Sequence, residues 1–237
     1  LNQARKTIRK LVAGLQHAGL QPGDCVCVHS FNDIYYPILF LGIIAAGGIF
    51  AGTNPGYTQY ELAHHIKTAK VRFLISEPEI LSNLQSAAKD CNIPQDKLWI
   101  FHPLPEQTCP QGSKSWEELL SHGEKDWARF NDLKVCSTTT AARLFSSGTT
   151  GLPKAACITH YNFIAQHELA YDGSNKKPYD VSKSIPDVAY PFSNIETKKP
   201  IIARPNIPNA FLPCCSCPAL SYRSTEGRLE NVRDASV

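Results

Sequence analysis

Methionine is absent from all 237 residues, an initiator included, so the chain reads as a fragment whose natural start lies upstream. A long apolar run is missing as well. The longest, residues 37–51, is broken by Gly42, Gly47 and Gly48 and falls short of the ~20 residues a membrane-spanning helix needs. No transmembrane segment is expected, and the Leu1-Asn2-Gln3 start carries no signal-type apolar block. A large excess of one sign of charge is missing too: 24 Lys and Arg oppose 21 Asp and Glu, a net +3 that leaves no basic stripe for a nucleic acid. The nine cysteines, at 25, 27, 91, 109, 136, 157, 214, 215 and 217, lack regular spacing. That pattern excludes a disulfide framework and favours free thiols in a reducing, cytoplasmic compartment.

What is present is a globular composition, 43 % hydrophobic. A chain of this length buries roughly 70–75 % of its unfolded surface and holds a core without staples. Its first part alternates helix-like and strand-like segments, the rhythm of an α/β fold with a parallel sheet flanked by helices. Ile8, Leu11, Val12 and Leu15 recur at helical spacing within 5–18, and Gly19 and Pro22-Gly23 end that helix. Val26 and Val28 mark a strand over 24–30; Asn32 is expected to cap a helix running towards Ala46, stopped by Gly47-Gly48 before a strand at 49–51. Thr58 and Glu61 have capping-box spacing ahead of a helix to about Thr68, as do Ser115 and Glu118 further on. Strands are expected at 71–76, 98–101, 141–146 and 155–159, a helix at 80–89 and a surface loop at 103–112. From about Ser184 the prolines crowd: seven of the 17 lie between Pro186 and Pro218, which no helix or sheet ladder survives.

The chemistry is concentrated in Phe145-Ser146-Ser147-Gly148-Thr149-Thr150-Gly151-Leu152-Pro153-Lys154, between two β-prone segments. Glycines admit positive φ and remove Cβ obstruction, so that successive backbone N–H groups can converge on an anion while hydroxyls and one ammonium add donors. A Ser/Thr/Gly-rich turn by itself is most often an ordinary loop. The fixed Pro153-Lys154 end makes a phosphate cradle the better reading. The spacing is not that of the NTPase P-loop, since Pro153 stands five residues after Gly148 and Ala155 follows the lysine.

This segment resembles the phosphate-binding signature of the adenylate-forming (AMP-binding) superfamily, which includes acyl-CoA synthetases, 4-coumarate-CoA ligases and luciferases. Upstream, 19–30, the helix ending in Ala45-Ala46-Gly47-Gly48, and Thr53-Asn54-Pro55-Gly56-Tyr57-Thr58 with Glu61-Leu62 resemble further landmarks in the right order; Thr159-His160-Tyr161-Asn162 resembles another downstream. The resemblance covers about residues 1–182 and implies a partial N-terminal domain of an adenylate-forming enzyme, with residues 183–237 a proline-rich tail of irregular or non-native character. It implies ATP, Mg²⁺ and CoA as reactants with a small-molecule carboxylic acid: an acyl-adenylate forms first, then the acyl-CoA. Ser146, Ser147, Gly148, Thr149, Thr150 and Gly151 would bind the β- and γ-phosphates through hydroxyls and amides, and Lys154 through its charge.

Ala155 stands where the family usually has glycine, a mild change if φ there is negative. The family's later adenine-, ribose- and acyl-binding motifs are not found, so weak nucleotide binding without complete turnover is expected of the chain alone. A non-catalytic remnant or mis-assembled gene product is the alternative, and an unrelated phosphate-binding α/β protein a weaker third. A sheet lacking later strands would leave an unpaired edge prone to aggregation. Ala235-Ser236-Val237 is not an SKL-type signal, which leaves a peroxisomal location for the parent protein open. His64-His65, His160 and His167 are read as helix-surface or strand-end residues rather than metal ligands, and His160 as a backbone-positioning residue before an Asn162 cap. Cys214 to Cys217 contains a CxxC without a partner pair and is read as a chance cluster; the tryptophans at 99, 116 and 127 are read as packing.

Overall fold

The computed structural model describes residues 2–146 and 153–171. The expectations for the proline-rich tail, including Cys214 to Cys217, lie outside the described residues. In chain order the elements are α1 Asn2–His17, β1 Cys25–His29, α2 Tyr36–Ala45, β2 Ile49–Thr53, α3 Gln59–Thr68, β3 Val71–Ser76 and α4 Leu81–Asp90. There follow β4 Leu98–Ile100, β5 Lys114–Ser115, α5 Trp116–Leu119, α6 Leu133–Thr138, β6 Thr140–Ser146, β7 Lys154–Thr159 and α7 His160–Tyr171.

The strands form one sheet in the order β5-β4-β3-β1-β2-β6-β7. All neighbours run parallel except β7, which is antiparallel to β6. The parallel sheet flanked by helices that the alternating pattern implies is present, with β7 added antiparallel at its end. A parallel return needs a crossover of about a dozen residues or more, and the stretch between Ser146 and Lys154 is too short for one.

Burial on both faces explains the apolar strands. Every residue of β1 is buried, and its side chains alternate between two cores. Val26 and Val28 join Phe50, Phe73, Ile75, Trp99 and Ala142 beneath α1, α2 and α5. Cys25 and Cys27 join Ile49, Ala51, Leu74 and Ile100 beneath α3 and α4. The chain therefore leaves β1 towards one layer and β3, its neighbour, towards the other.

The ends of several elements depart from expectation. Asn32 does not cap α2. Asp33 accepts hydrogen bonds from the Tyr35 and Tyr36 amides instead, and the helix starts at Tyr36 with Pro37 in its first turn, where a missing N–H costs nothing. Ser115 caps α5 through the Glu117 amide alone, without a reciprocal bond from Glu118. At α7 the cap is Thr159, not Asn162: the Thr159 hydroxyl accepts from the Asn162 backbone amide while the Asn162 side-chain oxygen Oδ1 accepts from the Thr159 amide and hydroxyl. The capping box of α3 forms as the spacing predicts, Thr58 and Glu61 each satisfying the other's backbone N–H.

Candidate functional site

Strands running parallel place their carboxyl ends along one edge of the sheet, where open α/β folds bind ligands. Ser146 ends β6 at that edge. Its partner across the ladder is Lys154, the first residue of β7. Residues opposite one another in an antiparallel pair lie roughly 5 Å apart at Cα, so the intervening chain leaves and re-enters through one narrow neck. The candidate residues Ser147, Gly148, Thr149, Thr150 and Gly151 occupy that stretch and lie outside the described residues. Ser146 is partly buried and Lys154 is exposed, on the same face of the ladder.

The neck is gripped by α3. His64 donates from Nε2 to the Pro153 carbonyl oxygen at 2.8 Å, on the returning limb. The neighbouring His65 stacks on Phe145 of the outgoing limb, with ring centroids 3.5 Å apart and planes at 19°. One turn on, the Arg143 guanidinium donates to the Ala69 carbonyl oxygen at the end of α3, where a cation also favours the helix dipole. The turn that starts α3 is self-supporting: Asn54 Oδ1 accepts from the Gly56 amide at 2.9 Å ahead of the Thr58 cap.

The reading of these histidines as helix-surface residues fits His64, which is half-buried, and is corrected at His65, which the fold buries. His65 is 2 % exposed, edge-on to Tyr57, and neither ring nitrogen has a hydrogen-bond partner among the described residues. Burial, aided by the charge of His64, pushes its pKa down to about 4 against opposition from Glu61. The signal was available, because His65 lies three residues after Leu62 and beside Ile66 on the buried stripe of α3. His64's bond, by contrast, spans the chain to a loop backbone atom and leaves no local trace. His160 holds its place by donating its amide to the Thr139 carbonyl oxygen and stacking on Phe130.

Further along the same edge lies a buried polar knot. Glu77, after β3, accepts from Ser30 Oγ at 2.8 Å, the Phe31 amide at 2.7 Å and Gln107 Nε2 at 2.7 Å. It fills the crevice between the ends of β1 and β3 with the protein's own carboxylate. Beside it the buried His29 donates or accepts through Nδ1 to Thr53 Oγ1 at 2.8 Å, and burial lowers its pKa to about 4 while the Ile80 backbone pulls it upwards.

Ala155 keeps extended backbone: among the described residues other than glycine, positive φ occurs at Lys70 and Asn92 alone. The methyl group in place of glycine is therefore accommodated. Cys25, Cys27, Cys91, Cys109, Cys136 and Cys157 are free thiols, and no three His, Cys, Asp or Glu side chains gather into a metal-holding group among the described residues. No helix among them is long and apolar enough to cross a membrane.

The sequence model of the AMP-binding enzyme family matches residues 2–195. The chain belongs to that family. Among curated AMP-binding relatives, the phenylacetyl-CoA ligase epaB of Aspergillus niger is 54 % identical over 76 % of this chain and 34 % of its own length. The acyl-CoA synthetase ACTT5 of Alternaria alternata is 50 % identical over 70 % of this chain and 29 % of its own. The chain thus spans about a third of the length of the curated relatives it matches. Solved structures carry the same fold: an anthranilate-CoA ligase, AuaEII, superposes with a TM-score of 0.61 at 20 % identity, covering 71 % of this chain and 31 % of that one. The long-chain-fatty-acid-CoA ligase FadD1 of Archaeoglobus fulgidus gives 0.61 at 19 % identity, covering 73 % and 33 %.

Proposed function

We propose that these residues carry the nucleotide-phosphate end of an ATP-dependent carboxylate-CoA ligase. The observation that supports it most is the Ser146–Lys154 neck at the carboxyl edge of the sheet, with a Ser/Thr/Gly-rich stretch strung between. In the reaction read here, a carboxylate oxygen of the acid attacks the α-phosphorus of ATP, the bond to the β-phosphate breaks and pyrophosphate leaves. The thiol of CoA then attacks the acyl carbon, losing its proton, and AMP leaves. Magnesium enters as part of the MgATP substrate. Ser146, Ser147, Gly148, Thr149, Thr150, Gly151 and Lys154 would gather the β- and γ-phosphates and offset the charge on departing pyrophosphate. The acid is a small aryl or medium-chain carboxylic acid, of the kind 4-coumarate-type enzymes take; the name of the Aspergillus niger relative supports an aryl group.

Residues 1–182 form, in this reading, the N-terminal part of the AMP-binding domain, working in the cytoplasm, with 183–237 a tail of different character. Titrating the chain with MgATP tests the proposal, with saturable but weak affinity expected. Pyrophosphate exchange with aryl and fatty acids tests competence: none is expected of these residues alone, and robust exchange would show the chain to be a complete ligase. Absence of any saturable MgATP affinity would leave the non-catalytic remnant.

A further inference from the structure

We infer that His64 is a positioning residue for the phosphate loop: its imidazole N–H holds the returning limb at Pro153 and thereby sets where the adjoining Lys154 ammonium starts. The inference rests on the phosphate-loop reading and deepens it. Pro153 has no N–H and its carbonyl can only accept, so the 2.8 Å contact requires a proton on His64 Nε2. Thr68 Oγ1, at 3.4 Å from the same nitrogen, is the weaker neighbour and lies one helical turn away, where it helps aim the ring. His64 is partly buried, on the exposed margin of α3, so its ring is not part of the core.

The grip has two handles of different kind. His65 clamps the outgoing limb by stacking on Phe145, a contact indifferent to rotation of the backbone amides beyond it. His64 fixes a backbone carbonyl, which sets the peptide plane immediately before Lys154. A hydrogen bond at that plane controls the direction in which the Lys154 side chain leaves the strand. Consecutive residues of one helix reach both limbs because α3 lies against the sheet face that carries Phe145, while its N-terminal turn is anchored by the Thr58–Glu61 box. The helix that the Thr58–Glu61 box starts thus holds both Phe145 and the Pro153 carbonyl.

The test compares the unsubstituted full chain with His64→Ala, which removes the donor, and His64→Gln, whose side-chain amide restores one. MgATP affinity should fall about fivefold in His64→Ala and return to within about twofold in His64→Gln, with the thermal midpoint the same in all three. Equal affinity in His64→Ala, or a loss that His64→Gln leaves uncorrected, overturns the inference. Should the unsubstituted chain bind no MgATP, the phosphate-loop reading falls, and the bond is judged by amide exchange at Lys154 and Ala155. At least about threefold acceleration in His64→Ala, reversed in His64→Gln, supports the grip; unchanged exchange overturns it.

Discussion

Ser146 and Lys154 oppose each other as the last pair of the β6–β7 ladder, so the hydroxyl and the ammonium stand on one face at the mouth of the loop between them. The lysine is free to swing because it is exposed, while its Cα is pinned by the ladder and by the Pro153 carbonyl beside it.

Lys154→Ala should therefore cost binding and not folding. A charge-assisted contact to phosphate is worth about 2 kcal/mol, or about thirtyfold in MgATP affinity, whereas truncating an exposed strand-end side chain changes stability by about 0.5 kcal/mol at most. Titration calorimetry beside urea denaturation separates the two. Loss of stability with affinity intact would contradict the assignment.

Ala155→Gly restores the residue usual in the family and should gain nothing. The backbone at Ala155 is extended and paired opposite Phe145, so no left-handed conformation calls for glycine. Removing the methyl group loosens a strand interior by about 0.5–1 kcal/mol and leaves MgATP affinity within about twofold. A clear rise in affinity would show that the methyl group obstructs the phosphates.

How far the sequence reveals the molecule depends on the range of the interaction. β3 emerges with its bounds at Val71 and Ser76 because six consecutive apolar-rich residues lie between clear breaks, and the α3 cap because Thr58 and Glu61 satisfy each other locally. β5 consists of two residues and α6 of six, too few for a period to show. The antiparallel turn of β7 was implicit in the short spacing of the two strands but masked by the parallel rhythm before it. Of the proposed phosphate-binding residues the sequence shows donor chemistry only, and 147–152 lie outside the described residues, while the His64 bond joins a helix to a backbone oxygen far along the chain and has no sequence pattern.

Gly14→Ala carries the same lesson into the core. In an ordinary helix interior this change stabilises by about 1 kcal/mol. Here a Cβ at residue 14 would sit 2.0 Å from the Leu119 carbonyl oxygen and 2.6 Å from its Cα, and backbone atoms have no rotamer by which to yield. α1 and α5 must separate, so a net loss of about 2 kcal/mol is expected by urea denaturation, opposite in sign to helix propensity. Stabilisation by the substitution would show that the two helices do not pack this closely.

His65 and His29 together make the fold sensitive to acid. In the unfolded chain its imidazole titrates near the ordinary value of 6.5, and in the fold burial lowers it to about 4; His29 behaves alike. As pH falls through this window the unfolded chain takes up protons that the folded chain refuses. The stabilising effect of the neutral rings is therefore complete above about pH 6.5 and is lost progressively down to about pH 4, to the extent of about 3 kcal/mol for each ring. His160, lowered in the same direction by burial against Phe130, adds to the slope. His65→Phe keeps the stack on Phe145 and removes two ring nitrogens that have no hydrogen-bond partner among the described residues. At pH 7.5 the variant should be more stable by about 1 kcal/mol, and its loss of stability between pH 6.5 and 4 should be smaller by the share His65 contributed. Urea denaturation at pH 7.5, 5.5 and 4.5 reads both effects, and an unchanged slope in the variant would place the acid sensitivity on His29 and His160 instead.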